Sequence, residues 1–266
     1  MESYMNRISN TGIVPVVKIL EKEDAYPLAK ALLNGGIDVI EVTYRSEHAT
    51  SAIQTISEQL PDMLVGAGTV LSVEQAKEAV EAGAKFIITP GFNTKVVQWC
   101  LDHDVEVYPG VSTASEVEMA LSMGLTQLKF FPAESSGGAK KLKDLSAPYA
   151  NVHFMPTGGI NTKNMHDYLS LPNVEAIGGS FMLPNDLVVA KDWDGIEALS
   201  RSAIKSLLDF QLIHVGINTN SPEESKQVTD TLCSLFHFTQ YTKPKSNFAG
   251  VGFEVCLLYT SDAADE

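Results

Sequence analysis

Short apolar runs alternate with longer amphipathic stretches between residues 12 and 209. The runs are rich in Val, Ile and Phe, and several end in Gly or Pro, a pattern typical of buried β-strands. There are eight such runs: Ile13–Ile19, Asp38–Thr43, Leu64–Val70, Phe86–Pro90, Glu106–Pro109, Gln127–Pro132, His153–Thr157 and Val174–Ser180.

The stretches between these runs have the spacing of helices. Glu23–Asn34, Val73–Ala82 and Ala114–Met123 carry apolar residues three and four positions apart, with Ala, Glu and Lys on the other faces. Strands that alternate with helices predict an α/β fold with a parallel sheet. Eight such units predict a closed (β/α)8 TIM barrel. An open doubly wound sheet is the alternative, but it usually has fewer strands, and no GxGxxG follows the first strand.

The pattern changes after residue 209. Leu212–Asn218 reads as a new strand, and Ser221-Pro222 followed by two glutamates predicts a helix start with Ser221 as N-cap. That helix would run to about Phe236 and be followed by a strand pair. We therefore predict a barrel domain over 1–209, a partial βαβ half module over 210–255, and a tail over 256–266 that continues no pattern.

Composition and charge narrow the function classes. The chain has 266 residues, of which 44% are hydrophobic and 20% charged, as in a globular enzyme and unlike disordered or collagenous proteins. The net charge of −14 argues against a nucleic-acid or anionic-membrane partner. We expect no membrane span and no secretory signal. The three cysteines, Cys100, Cys233 and Cys256, have no paired or metal-like spacing, which favours a reducing cytoplasm.

Gly, Pro and small polar residues concentrate at the predicted strand ends. Gly and Pro are common in turns and loops, so these residues can also be ordinary loop residues without a role in binding or catalysis. Because barrel active sites are built from the loops at the carboxyl ends of the strands, their recurrence instead predicts an active face there. The five segments are Gly66–Val70, Thr89–Gly91, Pro109–Thr113, Pro156–Gly159 and Gly178–Ser180.

Two ionisable residues lie inside predicted buried strands. Burying an ammonium is costly, so Lys129 is a candidate Schiff-base nucleophile; the alternative is a lysine whose head reaches the strand end. Glu41 is a candidate proton shuttle, or else a structural ion pair with Arg45 or a lysine. Arg45 follows the second strand and could bind a carboxylate or phosphate bidentately, or be a solvated surface residue.

A glycine-rich anion site is predicted near the seventh and eighth strands. Gly158-Gly159 precedes Asn161-Thr162, where we expect a helix to start, and Gly178-Gly179-Ser180 ends the eighth strand. The six histidines show neither HxH nor HxxxH spacing, so no metal site is expected. Gly-x-Ser-x-Gly is absent, which leaves a serine hydrolase unsupported.

Over about residues 6–208 the chain resembles the 2-dehydro-3-deoxy-6-phosphogluconate (KDPG) / 4-hydroxy-2-oxoglutarate (KHG) aldolase family. The resemblance implies a class I aldolase of the Entner–Doudoroff pathway that cleaves KDPG to pyruvate and glyceraldehyde 3-phosphate, and also KHG to pyruvate and glyoxylate. It also implies a cytoplasmic homotrimer with a small keto-acid substrate and no metal or other cofactor. Six blocks carry the resemblance: Glu41–Arg45, Gly66–Val70, Pro109–Thr113, Lys129–Glu134, Pro156–Gly159 and Ile177–Ser180.

The same resemblance implies the role of each site residue. Tyr44 and Phe92 stand where other family members carry different residues. The implied roles are Lys129 as Schiff-base lysine, Glu41 as general acid/base, Arg45 and Thr69 on the substrate carboxylate, Gly158, Gly159, Gly179 and Ser180 on the phosphate, and Pro90, Phe131 and Thr157 as pocket walls.

The C-terminal part resembles the opening of a glyoxalase/dioxygenase-like (vicinal oxygen chelate) domain. Such domains pair two βαβββ modules, and His214 and Glu254 fall near positions that bind metal in some members. With part of one module only, we expect no complete metal site, and an orphaned, aggregation-prone half-domain. Residues 256–266 look like translated sequencing-adapter sequence, which suggests a truncated gene model.

Two other functions remain open from the residues alone. One is a non-catalytic barrel that binds a sugar-acid phosphate, which would not need both Lys129 and Glu41. The other is a phosphate-binding isomerase or epimerase, which would not need a Schiff-base lysine. Among aldolase substrates, Ser180 and the Gly158-Gly159 pair favour a phosphorylated acid, and the galactonate epimer stays possible.

Overall fold

The computed structural model describes residues 4–209, 215–236, 240–243, 246–249 and 253–257. The chain divides into two compact units, one up to Leu208 and the other from Asp209 onward. In the described part of the chain, no helix combines the length and apolarity needed to cross a membrane.

The first unit alternates strands and helices, and each predicted apolar run contains a strand. The strands are β1 Ile13–Val17, β2 Val39–Thr43, β3 Leu64–Gly68, β4 Phe86–Ile88, β5 Glu106–Tyr108, β6 Gly110–Val111, β7 Gln127–Phe130, β8 His153–Pro156 and β9 Ile177–Gly179. The α-helices are α1 Tyr4–Thr11, α2 Ala25–Asn34, α3 Ala49–Gln59, α4 Val73–Glu81, α5 Thr94–Asp102, α6 Ala114–Ser122, α7 Gly138–Ser146, α8 Met165–Leu169, α9 Asn185–Ala190 and α10 Trp193–Leu208.

All strand pairs of this unit are parallel, which confirms the predicted α/β class. One sheet has the order β5-β4-β3-β2-β1-β9 and the other β6-β7-β8. Only Pro109 separates β5 from β6, and its carbonyl accepts a hydrogen bond from the Lys129 amide at 3.0 Å. The strands thus follow one another in a curled parallel sheet.

Apolar side chains form a cluster on the inner face of the curled sheet. Alternate residues of a strand share a face, so one set points inward and the other packs against the helices. Met5 and Ile8 of α1 belong to this inner cluster. The Arg7 Nε–Asp38 Oδ2 contact of 2.8 Å connects α1 to the start of β2. The inner cluster comprises Met5, Ile8, Val14, Val39, Leu64, Phe86, Ile88, Tyr108, Met155 and Ala176.

The helix expected at Asn161-Thr162 begins later, at Met165, so that prediction was wrong. The Asn161 side chain accepts a hydrogen bond from the Lys163 amide at 2.9 Å, and the Asn164 side chain accepts one from the Asn161 amide at 2.8 Å. Asparagine side chains that bond to nearby backbone offer it an alternative to helix. A turn therefore separates Gly158-Gly159 from the first residue of α8.

The described residues of the second unit form one helix and four strands. Its elements are β10 Val215–Thr219, α11 Pro222–Phe236, β11 Gln240–Lys243, β12 Ser246–Ala249 and β13 Phe253–Leu257. The sheet order is β10-β13-β12-β11, with β10 parallel to β13 and the other pairs antiparallel. The Ser221 hydroxyl accepts a hydrogen bond from the Glu224 amide at 3.1 Å, which confirms the predicted helix start.

Strand β13 reaches Leu257 and so includes the first two residues of the predicted tail. Glu254 lies in this strand, whereas His214 and residues 258–266 lie outside the described residues.

Candidate functional site

Lys129 and Glu41 meet on the inner face of the sheet, above the apolar cluster. Lys129 lies in β7 and is 4% exposed, and Glu41 lies in β2 and is 0% exposed. The Lys129 Nζ lies 3.1 Å from Glu41 Oε1 and 3.2 Å from Oε2. Of the alternatives for Glu41, an ion pair with a lysine is therefore observed. Arg45 instead donates to the Thr43 hydroxyl.

The contact between these two groups permits proton exchange between an amine and a carboxylate. A deprotonated lysine is a nucleophile toward a ketone, and a carboxylate at hydrogen-bond distance can take its proton and return it. Burial makes the pair costly to break, since removal of one partner leaves the other charge uncompensated. A purely structural ion pair would show the same contact. The residues around the pair therefore determine which molecules it can act on.

Gly68 provides the space that the Glu41 carboxylate occupies. It lies in β3 at the position paired with Thr43. A β-carbon built on Gly68 would lie 2.0 Å from Glu41 Oε1 and 2.4 Å from its Cγ. Gly68 belongs to the Gly66–Val70 block, but its role could not be predicted from the sequence, because the close approach arises between neighbouring strands. The signal was a glycine at an inward-facing position of a strand, here its last residue.

Replacing Gly68 with alanine is expected to displace the Glu41 carboxylate from Lys129. Misplacement of a catalytic group by about 1 Å can lower a rate by roughly 100-fold. For the aldolase reaction that the family resemblance implies, we therefore expect kcat to fall by about 10- to 100-fold. Steady-state kinetics measures the loss, and circular dichroism checks that the variant folds. Gly91→Ala is the matched control, because among the described residues its β-carbon meets no atom within 4 Å beyond its chain neighbours. Equal kcat values for both variants would contradict the role given to Gly68.

Lys129 has Gly110 beside it in the neighbouring strand and the Phe131 ring near its amine. Gly110 pairs with Lys129 in the sheet register, and a β-carbon on Gly110 would lie 2.2 Å from the Pro90 carbonyl oxygen. The Phe131 ring centroid lies 5.5 Å from the Lys129 Nζ, within the range of a cation–π contact. The structure thus brings one predicted pocket residue, Phe131, to the lysine, and places another, Pro90, against the neighbouring Gly110.

Arg45 is held at the end of β2 by a short chain of hydrogen bonds. Its Nε donates to Thr43 Oγ1 at 3.2 Å, and that hydroxyl donates to the Val17 carbonyl at 2.7 Å. Arg45 and Ser180 line one cavity of about 220 Å³ at the carboxyl ends of β1, β2 and β9. The predicted carboxylate-binding arginine and one predicted phosphate-binding residue are therefore brought together.

Thr69 has a backbone conformation that threonine rarely adopts. It follows β3 directly and has a φ of 55°, in the left-handed region. For a β-branched residue this conformation is an outlier, and such strain concentrates at functional sites. Thr69 directly follows Gly68, the residue that packs against Glu41, and its binding of the substrate carboxylate stays a prediction.

The Gly158-Gly159 segment also requires the left-handed region, with φ values of 105° and 81°. The preceding Thr157 is buried, and its amide donates to the Phe130 carbonyl at 2.9 Å. A β-carbon on Gly178 would lie 2.2 Å from Thr157 Oγ1. Thr157 therefore lies between the end of β7 and the start of the Gly179-Ser180 segment.

Glu134 contacts the Gly158-Gly159 segment through its backbone amide and binds Tyr168 through its carboxylate. The Glu134 amide donates to the Gly158 carbonyl at 3.1 Å, and the Tyr168 hydroxyl donates to Glu134 Oε1. Burial, followed by the hydrogen bond to Glu134, raises the pKa of Tyr168 above its usual range, so the phenol stays protonated at neutral pH. Since α8 begins only at Met165, any anion binding here depends on loop amides rather than on a helix terminus.

Among the residues that the structure describes, no three His, Cys, Asp or Glu side chains are grouped closely enough to hold a metal ion.

Comparison with protein families gives a match over residues 5–199 to the family described as "KDPG and KHG aldolase". Among curated proteins, the chain is 44% identical over 205 residues to the 2-dehydro-3-deoxy-phosphogluconate aldolase of Treponema pallidum, covering 77% of this chain and 98% of that protein. It is also 44% identical over 199 residues to the KHG/KDPG aldolase of Escherichia coli K12, which covers 74% of this chain and 93% of that protein.

Among solved structures, the chain is similar to the KDPG aldolase of Legionella pneumophila, which was captured with pyruvate as a covalent carbinolamine intermediate. The TM-score is 0.73 and the identity 39%, over 76% of this chain and 99% of that one.

Proposed function

The chain belongs to the KDPG and KHG aldolase family, and from that premise we propose that it cleaves KDPG through a Schiff base on Lys129. The observation that carries this assignment is the buried contact of the Lys129 Nζ with both oxygens of Glu41. The products are pyruvate and glyceraldehyde 3-phosphate. The shorter KHG has the same 2-oxo acid end and is cleaved to pyruvate and glyoxylate.

In the first half of the reaction, the Lys129 amine attacks the C2 ketone. Glu41 accepts the proton that the amine loses and returns it to the carbinolamine oxygen, which leaves as water. The iminium ion that remains withdraws electrons from C3, and the Glu41 carboxylate is free again. Glu41, directly or through a water molecule, then takes the proton of the C4 hydroxyl. The C3–C4 bond breaks, and its electron pair is held as the enamine of pyruvate while the aldehyde leaves.

In the second half, protonation of the enamine at C3 and hydrolysis of the iminium release pyruvate and regenerate Lys129. One carboxylate can serve each proton transfer because the transfers occur in sequence.

The remaining predicted residues bind the two ends of the substrate in this proposal. Arg45 and Thr69 bind the carboxylate next to the C2 ketone. Phe131 and Thr157 form walls beside the iminium, together with Pro90. Backbone amides and one hydroxyl bind the phosphate, and these belong to Gly158, Gly159, Gly179 and Ser180.

Borohydride reduction in the presence of pyruvate tests the proposed chemistry directly. Reduction of a Lys129 iminium would fix a pyruvate-derived adduct on the peptide that contains Lys129, detected by peptide mass analysis. Protein treated with borohydride without pyruvate is the control. A folded preparation that gives no adduct on this peptide would favour the non-catalytic binding barrel or an isomerase, and the roles of Lys129 and Glu41 would both be wrong.

We propose that the strands of the first unit close into a complete (β/α)8 barrel. The continuity of β5 and β6 through Pro109 supports it, as do the parallel bridges Phe154–Val174 and Thr157–Gly178 between the β8 and β9 segments. As the family resemblance implies, the barrel would act as a cytoplasmic homotrimer.

For the second unit we propose one module of the glyoxalase/dioxygenase-like type. Its element order, β10-α11-β11-β12-β13, is the βαβββ order of such a module. The parallel pairing of β10 with β13 places the first and last strands side by side, which supports the same proposal. Limited proteolysis tests whether this unit is the poorly packed half-domain that the sequence led us to expect.

A further inference from the structure

We infer that Tyr168 is a positioning residue that holds the Glu134 carboxylate away from the phosphate of the substrate, an inference that rests on the proposed function. Tyr168 lies in α8 and is 0% exposed, so its hydroxyl needs a partner within the protein. The hydroxyl donates a hydrogen bond to Glu134 Oε1. The proposed reaction steps use neither residue.

The Glu134 side chain packs against the loop that is proposed to bind the phosphate. A β-carbon built on Gly159 would lie 2.7 Å from Glu134 Cγ and 2.8 Å from its Cβ. Two consecutive backbone hydrogen bonds hold the two segments together, from the Ala133 amide to the Thr157 carbonyl at 2.8 Å and from the Glu134 amide to the Gly158 carbonyl at 3.1 Å. The carboxylate is bonded to the methylene group that meets Gly159, so it lies next to this loop.

The charge of Glu134 is of the wrong sign for an anion site. Among the described residues, Glu134 is exposed and no cation forms an ion pair with it. A carboxylate is negative at neutral pH, and like charges repel each other more strongly near a protein surface than in bulk water. A carboxylate that rotated toward the loop would therefore weaken the binding of a phosphate there.

The hydrogen bond from Tyr168 fixes the direction of this carboxylate. Helix α8 begins at Met165, beyond the turn that follows Gly159, so the Tyr168 hydroxyl binds Oε1 on the helix side of the loop. A β-carbon built on Gly138 would lie 3.5 Å from Glu134 Oε1 and 3.6 Å from the Tyr168 hydroxyl oxygen, so Gly138 borders the same contact. Burial raises the pKa of Tyr168, and the phenol therefore remains a donor at neutral pH.

The test removes the Tyr168 hydroxyl and compares two substrates that share the 2-oxo acid end. We expect Tyr168→Phe to raise KM for KDPG roughly 10-fold, because the released carboxylate repels the phosphate, and to leave kcat within about 3-fold of wild type. For KHG, which has no phosphate, we expect both constants to change by less than about 3-fold. Added salt should reduce the effect on KDPG, because it screens the repulsion.

A double variant separates charge from packing. Glu134→Gln removes the negative charge, so Tyr168→Phe/Glu134→Gln should return KM for KDPG to within about 3-fold of wild type. Tyr108→Phe is the matched control, because Tyr108 is also buried and its hydroxyl donates to another glutamate, Glu106, at 2.6 Å. This control should leave KM for KDPG within about 3-fold of wild type. Circular dichroism checks that each variant folds.

Three results would overturn the inference. Equal losses toward KDPG and KHG would show that the Tyr168 hydroxyl only stabilises packing, and so would a double variant as impaired as Tyr168→Phe. An unchanged KM for KDPG in the folded Tyr168→Phe variant would show that the carboxylate needs no restraint. Wild-type protein that cleaves neither substrate would instead contradict the proposed function, so the two failures are distinguishable.

Discussion

Replacement of Lys129 with methionine is expected to abolish cleavage of KDPG and of KHG. Methionine has a similar length but no amine, so neither the carbinolamine nor the iminium can form. Loss of a covalent catalytic group costs about 10⁴-fold or more in kcat, and residual activity should be at the detection limit of a coupled pyruvate assay. Borohydride should then fix no pyruvate on this peptide. Measurable turnover by the folded variant would contradict a Schiff-base mechanism at Lys129.

The stability of this variant needs its own control, because the substitution leaves Glu41 buried without its partner. Removing one member of a buried pair destabilises a protein by about 3–5 kcal/mol. The double variant Lys129→Met/Glu41→Gln removes both charges and should recover part of that loss in a denaturant titration. It should remain inactive. Activity that returned together with stability would show that the pair is structural.

The sequence singled out Lys129 and Glu41 as candidate site residues because each lies within an apolar run. Burial of an ionisable residue there costs free energy, and the structure shows that both are buried. The strands could be predicted for a related reason, since their runs are short and rich in Val, Ile and Phe. Both predictions depend only on local pattern. The structure adds the distance between the two side chains, which joins residues 88 positions apart in the chain.

What could not be predicted depends on contacts between elements. Gly68 was missed because its lack of a side chain matters only against Glu41 of the neighbouring strand. The helix start at Asn161 was wrong because hydrogen bonds among Asn161, Lys163 and Asn164 stabilise a turn instead.

Replacement of Glu41 with glutamine is expected to separate proton transfer from Schiff-base formation. Glutamine keeps the shape of the side chain and one acceptor oxygen, but it cannot take the proton of the C4 hydroxyl. Loss of a general base costs about 10²- to 10⁴-fold, and we expect a fall of that size in kcat for both substrates. Lys129 is still present, so borohydride should still fix pyruvate on its peptide, although more slowly.

A second carboxylate on the inner face of the sheet provides the matched control. Glu106 begins β5, at the opposite ends of the strands, where it accepts hydrogen bonds from the Tyr108 hydroxyl at 2.6 Å and from the Tyr4 amide at 2.9 Å. Glu106→Gln therefore alters a partly buried hydrogen-bond network without approaching Lys129, and kcat should stay within about 3-fold of wild type. If both glutamine variants lost activity equally, the effect of Glu41 would be structural. If only Glu41→Gln lost turnover while its pyruvate adduct persisted, the carboxylate would act in the bond-breaking step itself.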